Sequence, residues 1–242
     1  MGIDPADTAG GADLNDVARL LSAQRELERQ VAAGAPPDRE VNGWTAALMF
    51  FHLAQWRGRL LSALTAQSQG KDFSAPPGNI DEFNDAELTA GRAMSLEEAA
   101  ARSDGAFGSL LEIWEQLGDR PLVWYAAQST SEAMTRNSYP HPRIHLAAYL
   151  MDRGRREDSD RLVEETATEL RAASAAPRVL GAALYSLANV RVTQGRNDEA
   201  IALLEEAAPM RPDLGSYAIE DGAFNALRDS PRFRALGKSQ SR

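Results

Sequence analysis

Only three histidines occur in the 242 residues, His52, His141 and His145, and imidazole is the side chain best suited to chemistry near neutral pH. His141 and His145 are four apart, so on a helix both rings share one face. His52 lies among Leu48, Phe51 and Trp56 on a stripe that recurs every four residues and faces inward. A lone histidine on such a stripe is ordinarily a packed core residue. Pro142 directly follows His141, and a residue before proline is pushed out of helical geometry. That places His141 ahead of the helix or at its N-cap, with Pro142 as the first helical residue.

Other reactive side chains offer less. Glu132 and Asp152 lie near the histidine pair in sequence and are candidates to orient an imidazole. The pairs Glu97/Glu98, Glu164/Glu165 and Glu205/Glu206 read as a helix cap or as solvated faces. Ser129-Thr130-Ser131 has no histidine beside it and no nucleophile elbow, so a serine hydrolase is unsupported. No glycine-rich phosphate loop is present, which argues against a nucleotide enzyme. Cysteine is absent, and with it disulfides, thiol nucleophiles and thiolate metal sites. A net charge of -9 with no basic run leaves no nucleic-acid partner. The longest apolar run, from Ala46 to Ala54, is broken by His52 and too short for a bilayer, and no signal peptide precedes it. The expected location is cytoplasmic, with no membrane partner.

The elements that must position the histidines are helical throughout. Residues 1–12 are small and polar, a disordered lead-in. Leu14, Val17, Leu21, Leu27 and Val31 stripe a first helix that Gly34 and Pro36-Pro37 end. Asn42 is placed to cap a second helix from Trp44 to about Gln67, followed by a Ser-, Gly- and Pro-rich loop from Ser68 to Asn79. The capping box Ser95-Leu96-Glu97-Glu98 starts a third helix, with Phe107, Leu111, Trp114 and Leu117 on its apolar face and Gly118 as its stop. Asp119 and Pro121 open a further helical segment through Met134, and another helix carries Ile144, Leu146, Tyr149 and Leu150. Trp44, Trp56, Trp114 and Trp124 fill the core, and Trp56 and Trp124 line a pocket if the helices open around the histidines.

Residues 181–214 resemble the 34-residue TPR hairpin: Leu184, Leu187 and Ala188 on the first helix, Gly195 at the turn, Ala200, Leu204 and Ala207 on the second, and Pro212 at the exit. Asn197 is a candidate cap for that second helix. A degenerate copy precedes it at Leu146, Ala147 and Gly154, departing from the pattern at Ser159 and Thr166. Asp221, Phe224, Leu227, Pro231, Phe233 and Leu236 resemble the tail that covers a terminal repeat. One hairpin cannot bury both its faces, so the module is expected to pack as an extension or to bind a protein partner.

Trp44-Thr45 followed by His52 and Trp56, with His141 and His145 later in the chain, resembles the DinB/YfiT superfamily of four-helix bundles. Asp81-Glu82-Phe83-Asn84, the Ser95 capping box, Phe107 and Leu111 are similar to its ClbS/DfsB-like branch. The resemblance spans roughly residues 13–152. It implies that His52, His141 and His145 together hold a divalent metal. Three neutral imidazoles suit zinc, nickel, iron or manganese and leave positions for water or a thiol. It further implies an enzyme acting on small electrophilic molecules, a thiol-dependent transferase or hydrolase using a low-molecular-weight thiol, in detoxification or resistance. Pairing of bundles through helix faces implies a homodimer.

The expected architecture is all-α: a DinB-like four-helix bundle over 13–152, then TPR-like hairpins with a capping tail over 153–242. The alternative is a non-catalytic TPR-type interaction protein whose metal-free bundle serves as scaffold.

Overall fold

The computed structural model describes residues 14–35, 43–73 and 80–237. The lead-in expected over 1–12 lies outside them, as do Pro36, Pro37 and Asn42. Among the described residues the chain forms eleven α-helices, one 3-10 turn and one small hairpin. The all-α expectation holds at the level of class.

The chain divides into two compact units, Ala18–Val163 and a second made of Glu164 onward with the described residues up to Val17. The first unit contains most of α1 (Leu14–Gly34), then α2 (Ala46–Ser68), α3 (Ile80–Gly91), α4 (Leu96–Leu117), α5 (Thr130–Ser138), α6 (Pro140–Asp152) and the start of α7 (Arg156–Ala172). Its main packing is α2 against α4, with α3, α5 and α6 also against α2. Met49, Phe50, Phe51, Leu53, Ala99, Leu146, Tyr149 and Leu150 are buried in one cluster, and Leu27 and Val31 of α1 pack on it. Every residue from Ala46 to Ala54 is buried, so this part of α2 has no polar face. An all-round apolar helix is the signature of a central one.

Local signals account for most helix ends. Ser95 and Glu98 form the reciprocal capping box of α4: the Ser95 N–H donates to Glu98, and the Glu98 N–H donates to Ser95 Oγ. Gly118, at φ 66°, ends that helix. Thr45 caps α2 by accepting the Leu48 N–H at 3.1 Å, so the start of α2 is set by Thr45 rather than Asn42. Gly43, at φ 94°, leads into it, and a Cβ there would lie 1.8 Å from Asp152 Oδ2.

Two stretches differ from expectation. Helix α3 occupies Ile80–Gly91, where no helix was anticipated. Its Gly91 lies against the Phe51 ring of α2, 2.4 Å from where a Cβ would be, so its packing depends on a contact distant in sequence. The segment 119–134 is not one helix. It holds the antiparallel hairpin β1 (Pro121–Trp124) and β2 (Ala127–Ser129), and α5 begins only at Thr130. Asp119 caps nothing at residue 120. Its carboxylate accepts the Ser131 N–H at 3.0 Å, and Ser129 Oγ accepts the Glu132 N–H, so both polar signals serve the start of α5.

In the second unit, α8 (Pro177–Thr193) and α9 (Asn197–Met210) form a tight hairpin turned at Gly195, φ 74°. Gly181 makes close approach possible, since a Cβ there would lie 3.0 Å from Met210 Cβ. Asn197 is the first helical residue of α9 rather than its cap, and no side-chain cap bond is made there. After α10 (Pro212–Glu220), the 3-10 turn Gly222–Leu227 and α11 (Pro231–Leu236) bury Phe224, Leu227, Phe233 and Leu236 with Ala188, Ala200 and Leu204. Tyr185 donates its hydroxyl to Asp221 at 2.6 Å, fixing the tail's first residue.

Candidate metal centre

His52 is carried by the buried middle of α2, and His141 and His145 by the first two turns of α6. The two elements pack together, and the three rings meet. His141 Nε2 lies 3.3 Å from His52 Nε2 and 3.1 Å from His145 Nε2. One ring nitrogen of each falls within 4.8 Å of the other two.

His141 is helical, contrary to the pre-helical placement expected from Pro142. Helix α6 begins two residues earlier than expected, with Pro140 at its first position and Tyr139 flanking. The first four N–H groups of a helix have no intrahelical acceptor, so a proline at position three removes no bond. The pair therefore shares one face as its spacing requires.

The separations can be tested against metal coordination. With metal–nitrogen bonds of about 2.05 Å, two nitrogens on one ion lie about 2.9 Å apart at a right angle and about 3.3 Å apart at the tetrahedral angle. The observed 3.1 and 3.3 Å fall in that interval. Hydrogen bonding alone does not account for the hub. A neutral imidazole nitrogen is either one donor or one acceptor, yet His141 Nε2 faces two other ring nitrogens. A cation reached by His141 and both its neighbours would satisfy the hub, and the three histidines form a group that could hold a metal ion.

The electrostatics agree. Burial, then the neighbouring His145 and Arg59, push His52 down to about 3. Burial pushes His145 down to about 4. Burial, followed by His145, His52 and Arg57, holds His141 well below the usual imidazole range. All three rings are neutral at pH 7, the form that ligates a metal.

Aromatic rings fix the imidazoles. Trp44 stacks on His145 with centroids 5.0 Å apart and planes at 10°, and meets His52 at 5.0 Å and 60°. Trp56 meets His141 edge-on at 5.6 Å. The His141 ring also hydrogen-bonds the Asn137 backbone one turn back, the kind of contact that fixes a ligand's tautomer. The expected orienting carboxylates are elsewhere. Glu132 accepts the Gln128 N–H at 2.9 Å, at the head of α5, and Asp152 packs beside Gly43. Ser131 accepts the Trp114 indole N–H at 3.1 Å, a core contact. Of the glutamate pairs, Glu98 caps α4, Glu205 and Glu206 pair with Arg232 and Arg171, and Glu164 pairs with Arg191.

A buried polar network beside the centre was not visible in the sequence. Arg57, 1% exposed, makes a two-pronged pair with Glu28 at 2.7 and 2.8 Å and donates to Ser103 Oγ at 2.6 Å. Gln24 joins it by donating to Glu28 and accepting from Arg143. It ties α1, α2, α4 and α6. The weak sign was a charged residue, Arg57, one position after Trp56 and three before the buried Leu60.

Next to His141 a cavity of about 140 Å³ is lined by Trp56, Trp124, Tyr125, Arg136 and Asn137. Trp56 and Trp124 thus line a pocket as well as filling core space. No family model, curated protein or solved structure matches the chain, and the chemistry of the centre stands on its geometry alone.

Proposed function

We propose that the protein is a divalent-metal protein of DinB-like kind, a transferase or hydrolase that brings a low-molecular-weight thiol or water to a small electrophilic molecule. The observation that carries this reading is the approach of two imidazole nitrogens to the third, at coordination distances, in neutral form. A divalent ion held by His52, His141 and His145 would acidify a water or thiol and orient it for attack. The chain has no cysteine, so a thiol must come from solution. Trp44 stacks on His145 and Trp56 meets His141 edge-on, and the Asn137 backbone holds His141 in one orientation.

The test is elemental analysis of protein purified without an affinity tag, with thermal melting in the presence and absence of EDTA. About one metal per chain, lost in His52→Ala, and a chelator-sensitive melt are expected. Protein that arrives empty and takes up neither zinc nor nickel would overturn the reading.

A second reading, a non-catalytic interaction protein, draws on the second unit. There a groove of about 490 Å³ runs along Ala208, Pro209, Pro212 and Leu236, edged by the Glu205–Arg232 pair. It predicts a protein partner captured by the TPR-like hairpin, and a stability indifferent to chelator.

A further inference from the structure

The cavity beside His141 has walls of a kind the histidine centre does not need. Trp56, Trp124 and Tyr125 meet at steep angles: Trp56 and Trp124 at 90° and 6.1 Å, Trp124 and Tyr125 at 88° and 4.9 Å, Trp56 and Tyr125 at 53° and 5.4 Å. A flat guest stacked on one of these rings meets another edge-on, the two favoured aromatic geometries at once. Trp124 faces Ala127 across the end of the β1–β2 ladder, which leaves Tyr125 and Ala126 as its two-residue turn. Tyr125 sits there at φ 51°. Turns of this length favour glycine or asparagine at positive φ, and a tyrosine costs of the order of 1 kcal/mol more. Such strain tends to be retained where it aims a functional side chain, and this tyrosine is a wall of the cavity.

Size and charge narrow the guest. Cavities of about 150 Å³ hold a single benzene-sized ring, and this one is about 140 Å³. No Asp or Glu lines it among the described residues, and His141 is uncharged at pH 7. Arg136, the one charged side chain on the wall, already interacts within the protein. The Arg59 guanidinium that lies 4.7 Å over the Trp56 ring is itself paired with Glu87. A charged guest would therefore give up its water without gaining a counter-charge, which leaves an uncharged one. A bare hydrocarbon is a poor match too. The indole N–H groups of Trp56 and Trp124 are buried with no acceptor among the described residues, whereas a buried indole N–H usually finds one. An unsatisfied buried donor costs about 1–3 kcal/mol, so a guest that brings an acceptor oxygen gains what a hydrocarbon cannot. Both nitrogens are out of reach of water, so the acceptor meets one as its ring turns, and no hydrogen bond holds either indole against turning.

We propose that the cavity walled by Trp56, Trp124 and Tyr125 binds a small uncharged aromatic carbonyl compound, its ring among the aromatic walls and its carbonyl oxygen accepting an indole N–H. As a binding site the cavity stands apart from the metal. As the source of the electrophile that the neighbouring centre acts on, it rests on the metal reading.

The experiment is proton–nitrogen correlation NMR of the full chain titrated with acetophenone, before and after incubation with zinc, with metal content measured on the same samples. Toluene serves as the ring without an acceptor, and benzoate and benzylammonium as charged counterparts. The four tryptophans give four indole N–H signals, assigned with Trp56→Phe and Trp124→Phe. Acetophenone should bind one per chain, with or without zinc, and move the Trp56 or Trp124 signal downfield. The Trp114 signal should stay, because its N–H already donates to Ser131. Toluene should bind about tenfold more weakly for want of the hydrogen bond, and neither charged compound should displace acetophenone. Tyr125→Gly relieves the backbone strain while it removes the ring, so the fold is kept and affinity should drop several-fold. Tyr125→Phe, which keeps the ring, should bind as wild type does. Acetophenone binding that is absent, that leaves both indole signals in place, or that is unchanged in Tyr125→Gly overturns the proposal. So does toluene or benzoate binding as tightly as acetophenone, and so does binding seen only with zinc, which marks ligation to the ion. Metal uptake without acetophenone binding overturns this inference alone. Binding that moves an indole signal in a protein that takes up no metal upholds it and overturns the metal reading.

Discussion

At the scale of the residue, the decisive atom is His141 Nε2, which faces two other ring nitrogens and can satisfy only one by hydrogen bonding. Burial leaves its neighbours hard to protonate, with His52 near 3 and His145 near 4, whereas the unfolded chain takes up those protons near pH 6.5. Between those limits the unfolded state binds more protons, so stability is fully present above about pH 6.5 and is lost as pH falls toward 4. Urea midpoints measured across pH 7.5 to 4.5 should fall, and His52→Gln should flatten that fall. Equal slopes in wild type and variant would remove the histidines as its cause. Added zinc should protect the native state least at acid pH, because protons and metal compete for the same nitrogens.

At the scale of the element, the centre depends on how α1, α2, α4 and α6 are locked together. Arg57 and Glu28 are both buried, and each is the other's counter-charge. Removing one partner of such a pair costs about 3–5 kcal/mol because the other is left unpaired, while replacing both with apolar residues of similar size is often near neutral. Glu28→Leu should therefore destabilise by about that amount, and Glu28→Leu with Arg57→Leu should recover most of it in denaturant titration. A double variant no more stable than the single one would contradict the account. Gly43 sets the entry to α2 by a different route. Its positive φ and the Asp152 carboxylate beside it exclude a Cβ. Gly43→Ala should cost more than 1 kcal/mol and loosen Trp44 from His145, read as a change in tryptophan fluorescence. At the other end of the same core, Ser95→Ala removes the capping box of α4 and should cost about 1 kcal/mol.

At the scale of the whole molecule, a ligand that binds only the folded state adds stability by mass action. At a free concentration one hundred times Kd that is about 2.7 kcal/mol. Hydrogen exchange with and without zinc should show this gain as slower exchange in α2 and α6, the helices that carry the ligands. Exchange unchanged in α2 and α6 at saturating zinc would argue that the histidines pack without binding it. No described helix is long and apolar enough to cross a membrane, and the apolar stretch of α2 is buried in the first unit's core cluster. Phe224, Leu227, Phe233 and Leu236 close the α8–α9 hairpin from one side. They do for that unit what further repeats do in a solenoid, where each repeat alone leaves a face unburied.

The helices whose ends carry their own signals were legible in the chain: the capping box at Ser95, the stop at Gly118, the turn at Gly195 and the apolar tail from Phe224 to Leu236. So were the identities of the histidines and the four-residue spacing of His141 and His145, because helical periodicity is a local property. The tertiary structure decided the rest. Whether Leu122 to Gln128 pairs as a hairpin or coils as a helix turns on a short ladder and its packing, too small for alternation to register. Helix α3 is held by Phe51, forty residues earlier in the chain. The proline after His141 looked like a bar to helix until Pro140 supplied the first position. Above all, the convergence of His52 on the pair, the buried Arg57–Glu28 lock and the aromatic cavity join residues up to 93 positions apart, and distances of that kind are set by packing rather than by any stretch of sequence.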